Sequence, residues 1–399
     1  MSGTTRTSVQ ATFAAFILCC AALPGTAAEQ AVNDKDIAKY LTEAKDLAAG
    51  KRWDAAWAAL EKAERVPDPS PYTKDKIDEF KAYVLTQQHK YAEAGALFEQ
   101  RAKSASASAD ERNDRLKKAA QFYMRAKQYE KSARAAETAL EKRPNDPVLL
   151  ELAGQSRYLA GDFRGAAARI AQLVAATQRK GGQPQEASLQ ILLNSYFQLK
   201  DRQQIAQTWE MLLRHYPKPE YWRNVLALRS AEPHSERVDF YYLALKFDVG
   251  MLDKPGDYED LALGAIDLGL AEDAVRVLET GLRKGVLAGK SEPRFRRMLA
   301  LAQAEAAKTP DAVKDDAALG RIYLSQRMYG QAIAALRKGI EKGAPEHLDQ
   351  ARIDLGVAYL KSGETQRARE TFAAVKADSE WRGLAELWSL RPNAGDGSR

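Results

Sequence analysis

Small and apolar side chains recur along this chain at a helical spacing, in phrases that repeat. Tyr129 is followed by Ser132 and Ala136, and Phe163 by Ala166 and Ile170. The same order returns at Trp53/Ala56/Leu60/Ala63, Tyr91/Ala94/Phe98 and Tyr329/Ala332/Leu336. Weaker versions stand at Arg202/Ile205/Trp209, Ala271/Ala274/Leu278 and Thr365/Ala368/Phe372. Such offsets put all members of a phrase on one helix face. Ahead of these phrases lie small residues, Ala82, Ala120, Gly154, Gly320 and Gly356, often with Leu85, Tyr123, Tyr323 or Tyr359 one turn later. This predicts a preceding helix whose small residue permits close approach, with a bulky ring of a neighbouring turn filling the space beside it. Each period reads as helix, tight turn, helix.

The period is about 34 residues, the distance from Tyr129 to Phe163. Successive phrases open at 53, 91, 129, 163, 202, 236, 271, 329 and 365. Longer intervals contain loops such as RKGGQPQ and SASASAD. The widest, 58 residues from Ala271 to Tyr329, holds an extra helical segment, Arg294 to Ala307, between Pro293 and Pro310. Ala139-Leu140, Pro144-Asn145, Ala153-Gly154, Gly161-Asp162-Phe163 and Ala166 make the pattern resemble the tetratricopeptide repeat (TPR). The expected fold is all-α, a TPR-type α-solenoid of about eight to nine antiparallel helix pairs forming a superhelix. Expected segments are a signal peptide over 1–28, N-terminal TPR-like pairs over 29–112 and a central array over 113–288. An irregular helical insertion over 289–312 follows, then C-terminal pairs with a capping helix over 313–390, and a disordered tail over 391–399.

Composition refines this picture. An Ala-, Glu-, Lys- and Arg-rich chain favours helix, because those side chains lose little freedom there. The 60 basic and 54 acidic residues are interleaved, which argues against a nucleic-acid stripe. At the N-terminus Arg6 precedes an apolar run, Ala11 to Leu23, and then Pro24-Gly25 and small residues. That order is a secretory signal with cleavage near Ala28, and predicts an exported protein. Lipidation at Cys20 is the alternative, but Ile17-Leu18-Cys19 before it is a poor pattern for that. Cleavage would remove both cysteines, leaving no thiol chemistry. No later segment suits a transmembrane helix, so the mature chain is expected to be soluble.

Little else points to chemistry. His89, His215, His234 and His347 lie far apart with no metal-ligand spacing. There is no phosphate-binding glycine loop and no nucleophile elbow. No catalytic residue, metal or cofactor is expected, and the chain reads as a non-enzyme. Arg294-Phe295-Arg296-Arg297 reads as a solvated basic face. A solenoid of this kind binds through a concave groove lined by the first helix of each pair. Lys117, Gln121, Gln155, Tyr158, Gln190, Asn194, Phe197, Tyr221 and Asn224 are the candidate partner-binding residues. Amides suit peptide backbone, and rings give contact area at low entropy cost. In HYPKPEYW, residues 215–222, Pro217 ends one repeat and Pro219 opens the next. Tyr216 and Trp222 then belong to packing, and Tyr221 is left for the groove.

Leu192 to Phe197 (LLNSYF), Trp209 to Leu213 (WEMLL), Tyr216 to Trp222 (YPKPEYW), Asp257 to Ala262 (DYEDLA) and Ala274 to Leu287 (AVRVLETGLRKGVL) carry a narrower resemblance. Together they look like the exported TPR proteins that accompany TonB–ExbB–ExbD systems in Gram-negative bacteria. That likeness implies a periplasmic scaffold for TonB-dependent outer-membrane uptake, with envelope proteins, including TonB-system components, as partners. A scaffold for envelope biogenesis or polysaccharide export is the alternative reading, and a small-ligand binder in the groove is a third.

Overall fold

The computed structural model describes residues 26–104, 107–307, 313, 315–342 and 347–391, with side chains from 33 onward. The apolar run expected to be a signal peptide, with its cysteines, and the residues beyond Arg391 lie outside the described residues. Among the described residues every regular element is an α-helix. The chain divides into two compact units, Met1–Ala176 and Thr177–Arg399.

In the first unit the helices are α1 (Thr26–Ala49), α2 (Trp53–Arg65), α3 (Pro71–Gln87), α4 (Tyr91–Ala102), α5 (Ala109–Arg125), α6 (Tyr129–Leu140), α7 (Pro147–Leu159) and α8 (Phe163–Arg179). The second contains α9 (Glu186–Leu199), α10 (Arg202–His215), α11 (Pro219–Arg229), α12 (Glu236–Asp248), α13 (Pro255–Asp267) and α14 (Ala271–Arg283). It continues with α15 (Glu292–Ala306), α16 (Asp316–Ser325), α17 (Tyr329–Glu341), α18 (Leu348–Ser362), α19 (Thr365–Ala373) and α20 (Arg382–Ser389). Every phrase found in the sequence opens the second helix of a pair, from Trp53 in α2 to Thr365 in α19. The fold is all-α, built of TPR-type antiparallel helix pairs.

Local chemistry sets the boundaries. Ser108 and Glu111 form a reciprocal capping box at α5, and Asp146, Asp201, Ser235 and Asp315 cap α7, α10, α12 and α16. Pro71, Pro147, Pro219 and Pro255 open helices, where a missing N–H costs nothing. The turn inside nearly every pair carries a left-handed residue two positions before the second helix. These residues are Lys51, His89, Lys127, Gly161, Lys200, Gly269, Arg327 and Gly363.

The small first-helix positions allow close approach, but their filler differs from the expected ring. A Cβ on Gly154 would sit 2.5 Å from Ile170 Cδ1, and one on Gly320 2.5 Å from Leu336 Cγ. At these glycines the filler is therefore the last member of the same pair's phrase, and at Gly356 it is a ring, Phe372. The pairs that hold Gly154, Gly320 and Gly356 are thus closed by contacts between their own two helices.

The second unit departs from nearest-neighbour stacking. Helix α15 packs on α14, with Phe295 and Ala302 buried among α13 and α14 side chains. The helices after it return to earlier ones: α16 packs on α14, and α20 packs on α12 as well as on α19. Beyond this unpaired helix, α16 lies against α14, and α18 and α20 lie against α12.

Candidate functional site

The predicted groove residues fall into two groups. On α5, Lys117 is half-buried and Gln121 exposed. On α7, the Gln155 amide donates to Glu151 at 3.3 Å, and the Tyr158 ring meets Phe163 edge-on at 5.7 Å. On α9, Gln190, Asn194 and Phe197 lie one turn apart and are all exposed, Phe197 by 46%.

Tyr221 is not a groove residue. It is only 4% exposed, with Trp209 at 5.7 Å on one side. Its hydroxyl donates to the Glu186 carboxylate and accepts from Gln190 Nε2 at 3.1 Å. Lys218 Nζ also reaches Glu186, at 2.6 Å, and these bonds hold the Glu186 carboxyl below its usual range. Burial, with the Glu186 bond, pushes the Tyr221 phenol up. Tyr221 is thus a tie between α9 and α11. Asn224 spends its amide on the Glu220 carbonyl of its own helix, at 2.7 Å. Phe197 meets Trp209 at 6.4 Å, so Gln190, Phe197 and Tyr221 share one neighbourhood. Tyr216 donates to the Pro184 carbonyl at 2.9 Å and Trp222 is buried, as packing residues.

The basic cluster on α15 is largely neutralised. Arg294 pairs with Glu259, Arg296 pairs with Glu292 at 2.6 Å, and Phe295 is buried.

The closure of the second unit creates a site that the sequence reading did not identify. A cavity of about 460 Å³ lies between α12, α13 and α14 on one side and α16, α17, α18 and α20 on the other. Phe240, Phe247, Leu261, Val277, Leu324 and Val357 supply apolar wall. Its end toward α18 is a buried polar network. Tyr241 donates to Asp354 Oδ1 at 2.6 Å and accepts from Gln350 at 2.9 Å, while Arg237 holds Gln350 at 3.1 Å. Arg321 lies 3.7 Å from Asp354 Oδ2. Burial pushes the Asp354 carboxyl up to about 6, with Arg321 acting against it. Burial, together with the Asp354 charge, raises the Tyr241 phenol well above its ordinary range.

Asp248 at the end of α12 receives Lys361 from α18 and Arg391 Nε at 2.8 Å. On α14, Arg276 donates to the Ser325 carbonyl at 2.8 Å and pairs with Asp273. Burial and the nearby charge of Arg327 lower its affinity for a proton. The missed signal was the 58-residue interval. It marked an odd helix, but gave no direction for what followed.

Among the described residues no group of three or more metal-ligating side chains comes together, and no helix is long and apolar enough to cross a membrane. A tetratricopeptide-repeat family model matches residues 317–380. No curated protein matches the chain. A solved human IFIT1 dimer with m7Gppp-AAAA is similar at 15% identity, covering 87% of this chain and 71% of that one, with a TM-score of 0.26. Naa15/Naa10 bound to HypK-THB is similar at 15% identity, covering 89% of this chain and 54% of that one, with a TM-score of 0.35. Likenesses this loose set no ligand and no partner for this chain.

Proposed function

We propose that the chain is a non-catalytic scaffold of the periplasm that binds partner polypeptides through first-helix faces of its TPR pairs. The observation that carries this reading is the exposed row Gln190, Asn194 and Phe197 on α9. An exposed ring beside two amides supplies contact area and backbone hydrogen bonding together. Gln121 and Lys117 on α5 offer a similar polar strip in the first unit. The match of residues 317–380 to the repeat family supports the interaction role, because stacked helix pairs commonly serve as binding surfaces.

The specific form we propose is an accessory of TonB-dependent uptake. It rests on the phrases from Leu192 to Leu287, and the export signal before Ala28 supports the location. A photo-crosslinking side chain at Asn194 should capture a TonB-system component in living cells, while one at Gln203 on α10 should not. Capture of the same partner from both positions would sink the surface assignment. Recovery of only polysaccharide-export or envelope-assembly proteins from Asn194 would replace the TonB role. Cell fractionation with N-terminal sequencing tests export, and a mature chain retaining Cys19 and Cys20 would refute it.

A further inference from the structure

The cavity between α12–α14 and α16–α20 is more elaborate than packing requires. Its charges do not cancel. Five cations, Arg276, Arg283, Arg321, Arg327 and Lys361, line it against four carboxylates, of which Asp248, Asp273 and Asp354 each face a cation already named and Glu279, among the described residues, has no ion pair. Among the described residues, Arg283 and Arg327 line the cavity with no carboxylate at ion-pair distance. Among the described residues Arg283 bonds only the Thr280 hydroxyl, at 3.2 Å. Arg327 occupies the left-handed turn position at φ 60°, so the turn itself places a guanidinium beside Arg276. Three guanidiniums on α14 and the α16–α17 turn thus line one cavity, those of Arg283 and Arg327 on exposed side chains, beside an apolar wall.

A second observation concerns the cavity walls. Two cavity-lining side chains keep a buried polar atom with no hydrogen-bond partner: Asp354 Oδ2, an acceptor whose nearest cation is Arg321 at 3.7 Å, and Trp388 Nε1, a donor. Asp354 is 2% exposed and Trp388 4%. Buried polar atoms are rarely left unmatched, because each costs about 1–3 kcal/mol. A hydroxyl or amine on a bound molecule can serve an acceptor and a donor alike.

We propose that this cavity binds a small amphipathic organic anion. Its acid group sits among Arg276, Arg283 and Arg327, and its apolar body lies against Phe240, Phe247 and Val357. The volume, about 460 Å³, falls in the range of small-molecule sites. The site is separate from the α9 row, so it stands or falls independently of partner binding.

Two dyes with the same ring system and the same bridging N–H test the proposal: 8-anilinonaphthalene-1-sulfonate, an anion, and N-phenyl-1-naphthylamine, which lacks the sulfonate. With the full chain, fluorescence titration should give saturable one-to-one binding of both, the sulfonate being tighter. Arg283→Gln with Arg327→Gln should weaken the sulfonate about tenfold, leave the neutral dye unchanged and leave the melting temperature unchanged. Val357→Phe, which fills the cavity, should weaken both dyes. Equal affinity of the two dyes, or a sulfonate affinity unaffected by the arginine changes, overturns the proposal. So does a Val357→Phe protein with parental melting temperature and parental affinity for both dyes.

Discussion

Replacing Gly356 by Ala tests the packing rule that builds the pairs. In most helix interiors this change stabilises by about 1 kcal/mol, since Ala has the higher helix propensity. Here the new Cβ would lie 2.7 Å from both Cδ1 and Cζ of Phe372, and nearer still to Cε1. Phe372 is 2% exposed and sits on the short helix α19, so the ring has little room to withdraw. Overpacking of this kind costs about 1–3 kcal/mol, and overlap with three ring atoms places it near the upper end. The net loss should be about 1–2 kcal/mol. For a unit of this size that lowers the melting temperature by roughly 2–8 °C. Gly330 on α17 is the control, because nothing lies within 4 Å of its added Cβ. Thermal melts of the full chain, followed by circular dichroism and calorimetry, should show Gly356→Ala below the parent and Gly330→Ala at or above it. Adding Phe372→Leu should cost less in the Gly356→Ala background than in the parent. If Gly356→Ala melts at or above the parent, the close-approach account of these pairs is wrong.

Other changes probe different terms. Burial holds Asp354 at about 6 against an ordinary 3.8, so the folded state binds this proton more tightly than the unfolded chain. Its contribution is fully present below about pH 4 and lost as pH rises through 6, by up to about 3 kcal/mol. Urea unfolding at pH 4 and pH 7 should therefore show the parent losing stability relative to Asp354→Asn; a pH-independent difference between the two would reject the buried-acid reading. Tyr221→Phe removes the bonds to Glu186 and Gln190 and should cost about 1 kcal/mol, leaving crosslinking from Asn194 intact. Lost crosslinking with an undiminished melting temperature would return Tyr221 to the groove. Lys127 holds φ 57°, so Lys127→Gly should stabilise the first unit by up to about 1 kcal/mol, while Gly161→Ala, at φ 84°, should destabilise by about 1 kcal/mol. Urea midpoints that move the other way would contradict the turn assignment.

The repeat was legible because each pair is a local solution. The phrase that begins at Phe163 carries Ile170, and Ile170 fills the space at Gly154 within the same pair. Sequence spacing records such contacts directly. The proline boundaries were equally plain, since Pro219 does open α11. Tyr221 was misplaced because spacing tells which face a residue occupies but not what stands opposite. Glu186, on the previous pair, takes its hydroxyl. The turn residues were hidden for another reason. Lys, His and Arg hold a left-handed conformation that composition does not advertise. Closure of the second unit was out of reach because Tyr241 and Asp354 are 113 positions apart, and nothing near either announces the other.

That closure also changes how the chain should come apart. An open stack of repeats has free ends, and its terminal pairs can fray while the middle holds. In the second unit the last helix is not free: Arg391 is tied to Asp248, 143 residues earlier, and Trp381 lies against Tyr241 at 5.0 Å. Forming those ties requires closing a long stretch of chain before any of them rewards the folding molecule. Folding of this half should therefore pass a slow, late docking step. Once docked, its final pairs should exchange amide hydrogens at the rate of the whole unit rather than ahead of it.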